Sequence, residues 1–126
     1  MANVHIHTTT IPVSDQEKAL DFYVSKLGFE KRRDDPMGPG MRWIEVAPPG
    51  GETGLILAKG FGIDAERIGT FTGLVLVTPD IQATYEEWSG KGVHFSEGPT
   101  PQPWGGIQAL FADDDGNGFV LVQTRG

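Results

Sequence analysis

The 126-residue sequence has no cysteine. That excludes disulfides, thiolate metal sites and a cysteine nucleophile, and it suits the reducing cytoplasm, where the protein is expected to reside. The N-terminus is polar and no apolar run approaches the roughly 20 residues a bilayer span needs, so neither a secretory leader nor a membrane segment is expected. Basic residues are few: ten Lys and Arg stand against seventeen Asp and Glu, for a formal net charge of -7. Phosphates would be repelled, and nucleic acid and anionic membranes are not expected partners. The 18 glycines form no phosphate-cradling motif after a strand. Ser14, Ser25, Ser89 and Ser96 fall in expected caps, helices and a strand with no His/Asp pairing, so no serine nucleophile is visible.

What is present is enough apolar sequence, 38% of residues, for one compact domain with a real core. The stretch Pro12 to Glu30, PVSDQEKALDFYVSKLGFE, organises it. Ser14 as N-cap with Glu17 three residues on reads as a capping box, in which side chains satisfy the free N–H groups of a helix start. Ala19, Leu20, Phe22, Tyr23 and Leu27 recur at helical spacing and give one apolar face. Gly28 suits the left-handed position just past a helix end.

Around this helix the chain reads as strands. His5 to Val13 is threonine-rich and extended, Phe29 to Arg33 is a short strand, and Asp34 to Gly40 is a Pro/Gly turn region. Met41 to Ala47 and the apolar Gly54 to Ala58 flank a Pro-Pro-Gly-Gly hairpin signal, and Lys59 to Gly69 is a connector. A shift of 64 residues lays the second half on the first, with Val13 on Val77, Ala19 on Ala83, Gly28 on Gly92 and Phe29 on Val93. There Phe71 to Thr78 is the strand, and Thr78 as cap with Pro79 at the first helical position starts the helix. Ile81, Thr84, Tyr85 and Trp88 line its buried face; Val93 to Ser96, Ile107 to Ala112 and Gly118 to Gln123 are strands.

A Val-x-Asp turn into a helix bearing Phe22-Tyr23, then Leu27-Gly28-Phe29, repeated weakly and closed by Asp113-Asp114-Asp115-Gly116-Asn117 before an apolar strand, resembles the vicinal oxygen chelate superfamily. That superfamily includes glyoxalase I, fosfomycin and bleomycin resistance proteins and extradiol dioxygenases. The resemblance covers essentially the whole chain and implies an α+β fold. Two βαβββ modules, about 1–60 and 70–126 with a connector at about 61–69, would form a cupped eight-stranded mixed sheet with the helices outside. It further implies a divalent metal held by His or Glu on the first and last strands of each module. The matching positions carry Thr8, Ile56 or Leu57, Gly73 and Val120, none a usual ligand. Neither a metal nor another cofactor is therefore expected.

Three further features bear on this. His5 and His7 could supply two imidazoles to an atypical site, with Glu45 as the only loose carboxylate partner, but strand alternation puts them on the face opposite Thr8. His94 is uncommitted. Asp113-x-Asp115-x-Asn117-Gly118 imitates the start of an EF-hand loop but has Thr124 at position twelve and strands on both sides, so an acidic hairpin turn is expected.

A metal-free cup can still hold an organic ligand. Thr8, Thr10, Gly73, Val75, Val77, Val120 and Val122 have the strand parity to face it. Trp104, in the loop Pro99 to Gly106, could stack on a planar ligand or simply cover a core edge. Trp43 and Arg42 lie on opposite faces of one strand, and the sequence does not decide which looks inward. The expected ligand site is thus Thr8, Thr10, Trp43, Val75, Trp104, Val120 and Val122. Two functions follow. One is a small-molecule-binding protein that sequesters an aromatic or cationic compound, as the bleomycin-resistance-like members do. The other is a glyoxalase-like lyase or dioxygenase-type enzyme with a non-standard site, in which Glu45, a histidine or Arg42 acts. Binding is preferred, and a homodimer is expected because an open cupped sheet leaves apolar edges exposed.

Overall fold

The computed structural model describes residues 2–60 and 65–124, so the middle of the connector lies outside the described residues. The chain divides into two compact units, Met1–Ile68 and Gly69–Gly126. The first contains β1 (Thr8–Pro12), α1 (Gln16–Asp21) running into a π-helical turn (Phe22–Lys26), β2 (Glu30–Pro36), β3 (Arg42–Ala47), β4 (Gly54–Ala58) and a short 3-10 turn (Ala65–Arg67). The second contains β5 (Phe71–Val77), α2 (Ile81–Gly90), β6 (His94–Pro101), β7 (Ile107–Ala112) and β8 (Gly118–Gln123). Each unit is a βαβββ module with one four-stranded mixed sheet, ordered β1-β4-β3-β2 and β5-β8-β7-β6. In each, the first and last strands pair in parallel and the others antiparallel.

Both helices start one or two residues later than the capping signals suggested. The N-caps are Asp15 and Asp80, whose side chains accept from the N–H groups of Lys18 (3.1 Å) and Ala83 (3.0 Å). Ser14 and Pro79 precede the caps, because the aspartates reach the third N–H of each helix from an extended backbone. Counted from these caps the modules are offset by 65 residues, whereas the helix exits, Gly28 and Gly92, are offset by 64. The π-turn takes up the extra residue: the Leu27 N–H donates to the Phe22 carbonyl, five residues back.

Other boundaries move for identifiable reasons. β1 begins at Thr8 and leaves His5 and His7 outside it. β2 continues to Pro36 through the residues expected to turn, pairing Asp34 with Ile44 and Pro36 with Arg42. β6 continues to Pro101 and takes in Pro99 of the expected loop. As an edge strand it tolerates prolines, which lack an N–H to donate.

The core of the first unit is Ile11, Val13, Phe22, Tyr23, Ile44, Val46, Leu55 and Leu57, all nearly inaccessible. In the second, Trp88 packs edge-on to Phe111 at 5.1 Å between ring centroids, and Phe111 stacks on Phe119 at the same distance. Polar stitches tie helix to sheet. Gln16 is buried and donates from Nε2 to the carbonyls of Arg42 (2.7 Å) and Leu57 (2.9 Å). In the second unit the Gln123 side-chain carbonyl accepts from the first helical N–H, that of Ile81, at 2.8 Å.

Arg42 forms a clasp between helix and sheet. Its guanidinium donates to both oxygens of Asp34 (3.0 and 2.5 Å) and to Glu17 at 2.6 Å. The hydrogen bonds from Arg42 hold the Asp34 carboxyl below the usual aspartate value of 3.8; desolvation opposes them, and the charges of Arg42 and Lys31 add to the lowering. Because the native pKa is depressed, the clasp stabilises the fold above that usual value, and the stabilisation is lost as pH falls through the lowered native pKa. Wild type should therefore lose more stability in urea than Asp34→Asn as the pH is taken from neutral into the acid range. Parallel pH profiles for the two proteins would refute the clasp.

Candidate ligand-binding faces

Strand alternation gives each sheet a face toward its helix and an open face. In the first unit Arg42 reaches Glu17 of α1, so Arg42, Ile44 and Val46 lie on the helix side. Trp43 and Glu45 lie on the other. The register carries this open face across the sheet: Thr8 sits beside Gly54, Thr10 beside Ile56, and Ile56 beside Glu45. Thr8, Thr10 and Trp43 are half-buried, while Glu45 is only 8% exposed. The first unit thus gathers three of the expected site residues and adds Glu45 and Gly54. Glu45 had entered the sequence reading only as a loose metal partner or base, and Gly54 only as the start of a strand. Strand parity with Trp43 was the signal available for Glu45. Nothing in the sequence shows that its carboxylate lies over a glycine.

In the second unit Val75 pairs with Val120 and Val77 with Val122, placing all four on the open face. Val75 and Val77 are well exposed, Val120 is half-buried and Val122 is buried. Gly73 has φ +80 and sits where the β5–β8 register slips, with Thr72 Oγ1 donating to the Gly118 carbonyl and accepting from the Leu74 N–H.

Trp104 sits in the tight turn Gln102 to Gly106, closed by the Gln102 N–H on the Gly106 carbonyl at 2.9 Å. It is 54% exposed, yet its ring edge rests on Gly106, where a Cβ would overlap the indole and approach the Gln123 carbonyl to 2.8 Å. Gly106 is thus a platform for Trp104. His5, His7 and His94 are exposed. In the acidic turn, Asp113 Oδ1 accepts from the N–H groups of Asp115 and Asn117, and Oδ2 from the Asn117 side-chain amide at 2.9 Å. That carboxylate is spent on the turn itself. A cavity of about 290 Å³ at the C-terminal ends of β1 and β4, lined by Pro12, Val13, Ala58 and Ile68 among others, contains none of the expected site residues.

Residues 5–121 match the Glyoxalase/Bleomycin resistance protein/Dioxygenase superfamily. The chain belongs to this superfamily. It is 39% identical to the protein YetH of Bacillus subtilis (strain 168) over 94% of this chain and 97% of that one. Among solved structures, a superfamily member from Sphaerobacter thermophilus DSM 20745 superposes with a TM-score of 0.89 at 44% identity, covering 97% and 98% of the two chains. TnmS3, an antibiotic binding protein from Streptomyces sp. CB03234, superposes with a TM-score of 0.84 at 41% identity, covering 99% of each.

The positions that the superfamily resemblance assigned to metal ligands can now be placed. By register the fourth is Ile56 rather than Leu57, since Ile56 shares the open face with Thr10. Thr8 and Ile56 in the first unit, and Gly73 and Val120 in the second, offer one hydroxyl and no imidazole or carboxylate. This set does not fit a divalent ion. Among the described residues no three His, Asp or Glu side chains cluster as such an ion requires.

The Trp104 platform makes a testable claim. Gly106→Ala should destabilise the protein by about 1–3 kcal/mol, because the methyl must displace the indole or the strand carbonyl. Tryptophan emission should shift to the red as the ring lifts into water. An unchanged urea midpoint and emission spectrum would show that the ring does not rest there.

Proposed function

We propose that this superfamily member is a cytoplasmic small-molecule-binding protein that sequesters an aromatic or cationic compound in the bleomycin-resistance-like manner. It works without a metal or cofactor of its own, as a homodimer. The observation that carries the reading is that Thr8, Ile56, Gly73 and Val120, at the positions the superfamily resemblance assigns to metal ligands, bring no imidazole or carboxylate, combined with an indole, Trp43, on the open face of the first sheet. The likeness to TnmS3, an antibiotic binding protein, supports it. The proposed ligand contacts are Thr8, Thr10 and Trp43 from module one, about 1–60, and Val75, Val120, Val122 and Trp104 from module two, about 70–126. Dimer formation is supported by β5, an edge strand whose Phe71, Val75 and Val77 are 63%, 59% and 68% exposed, an apolar surface that a second copy would cover.

The test is native mass spectrometry of untagged protein purified without chelator, followed by titration with bleomycin and with proflavine, a planar organic cation. A metal-free dimer of twice the 13.6 kDa chain mass, with saturable binding of at least one compound, is the expected result. A monomer that binds neither would overturn the proposal. One tightly held metal ion, with turnover of a glyoxalase-type hemithioacetal, would replace it with catalysis.

A further inference from the structure

We propose that Glu45 is the ligand-reading residue of the first unit's open face. Its carboxylate accepts hydrogen bonds from a protonated nitrogen on a flat ligand whose ring lies against Trp43. This deepens the binding role proposed above and rests on it.

Glu45 is only 8% exposed and lies mid-strand in β3. A buried carboxylate without a partner is costly, and in a folded protein such a group nearly always has hydrogen bonds or a cation beside it. Among the described residues Glu45 has neither. The cation best placed to supply one is Arg33, which stands directly opposite in the β2–β3 register. Its guanidinium turns instead to Asp35, at 2.7 and 3.0 Å. Arg42, three residues away, is held on the other face by Asp34 and Glu17. Yet the Glu45 oxygens are not sealed, because no fully enclosed side-chain oxygen in the described protein lacks a partner. The carboxylate is therefore without a partner among the described residues and still reachable.

Its position is also fixed in advance. Gly54 lies beneath it, and a Cβ there would fall 2.8 Å from both Cγ and Cδ of Glu45 and overlap its carboxylate. Only glycine leaves room for the side chain to lie flat on β4. Trp43 is two residues along the same strand, roughly 7 Å away on the same face. Thr8 and Thr10 share that face from β1. A carboxylate beside an indole selects for a cation twice: the acid accepts charge-assisted hydrogen bonds, and the indole face attracts positive charge. Anionic ligands are repelled by Glu45, and neutral rings gain the stacking without the ionic contact. The ligand class is thus a planar ring carrying an amine, amidine or similar protonated nitrogen.

The experiment compares proflavine with acridine by calorimetry at mildly alkaline pH, where the two share a ring system but only proflavine is a cation. Wild type should bind proflavine at least about tenfold more tightly, the yield of a single charge-assisted hydrogen bond. Glu45→Gln should remove that preference while holding acridine affinity within about twofold, the transfer of stacking being unaffected. The ligand-free Glu45→Gln protein should unfold at the same or a higher urea concentration than wild type, since an unpaired charge has been removed. Equal preference in wild type and variant would overturn the role of Glu45 and leave the binding proposal standing. A lower urea midpoint for the variant would show a structural partner for Glu45 and overturn the inference. Binding of neither dye by folded wild type would overturn it as well, and the bleomycin titration then decides the broader proposal.

Discussion

The parallel pairing of the first and last strands in each module is the constraint from which the rest follows. Parallel neighbours cannot be joined by a tight turn, so the chain must leave β1, cross the sheet and return three strands later as β4. The crossover carries α1, and a helix with one apolar stripe can cover only one face of a sheet. The other face is left without a helix of its own unit, and side-chain alternation then decides which residues stand on it. The second module repeats the arrangement with β5, α2 and β8.

Within this frame the buried polar groups divide into two kinds. Gln16, Asp113 and Asn117 are buried and engaged: Gln16 bridges two strand carbonyls, and Asp113 and Asn117 close the turn before β8 with the Gly69 N–H donating to Asn117 at 2.8 Å. Removing any of them would strand a partner, which is how polar residues hold a fold to one arrangement. Glu45 is of the other kind. Its carboxylate has no hydrogen-bond or ion-pair partner among the described residues. Sites that break a local rule without local compensation are where function is sought.

Much of this was legible from residues alone. β4, β7 and β8 were readable to the residue because apolar runs there end at glycine or at an acidic turn. The repeat and both helices were readable because periodicity and glycine stops are written in the sequence. The caps were misplaced because Ser14 and Asp15, like Thr78 and Asp80, are all competent N-caps, and only the backbone angles choose between them. The π-turn was hidden because a five-residue hydrogen bond has no side-chain signature. The face of Trp43 was undecidable until Arg42 was seen gripping Glu17, since alternation fixes relative sides and not which side is covered. Gly54 and Gly106 looked like ordinary turn or strand glycines, because what lies over a glycine depends on residues far away or on a ring folded back from the turn.

On the binding reading, the open face of the first sheet is a chelating scaffold turned to a different chemistry with few changes. Metal binding needs donors on several strands held to tenths of an ångström, and losing one of them degrades the site. Here Thr8 and Ile56 stand on two strands of the first unit at positions the superfamily resemblance assigns to metal ligands, and the polar and aromatic groups lie on a third, where Trp43 and Glu45 sit two residues apart. An indole and a carboxylate on one strand need no agreement between elements, only the strand's own alternation and one glycine beside the acid. Such a pair tolerates ligands of varied outline, because stacking is indifferent to substituents and the carboxylate demands only a donor within reach. On the binding reading this is an advantage: a protein that sequesters compounds gains breadth from loose shape requirements, whereas catalysis would demand the tight geometry that the missing donors once implied.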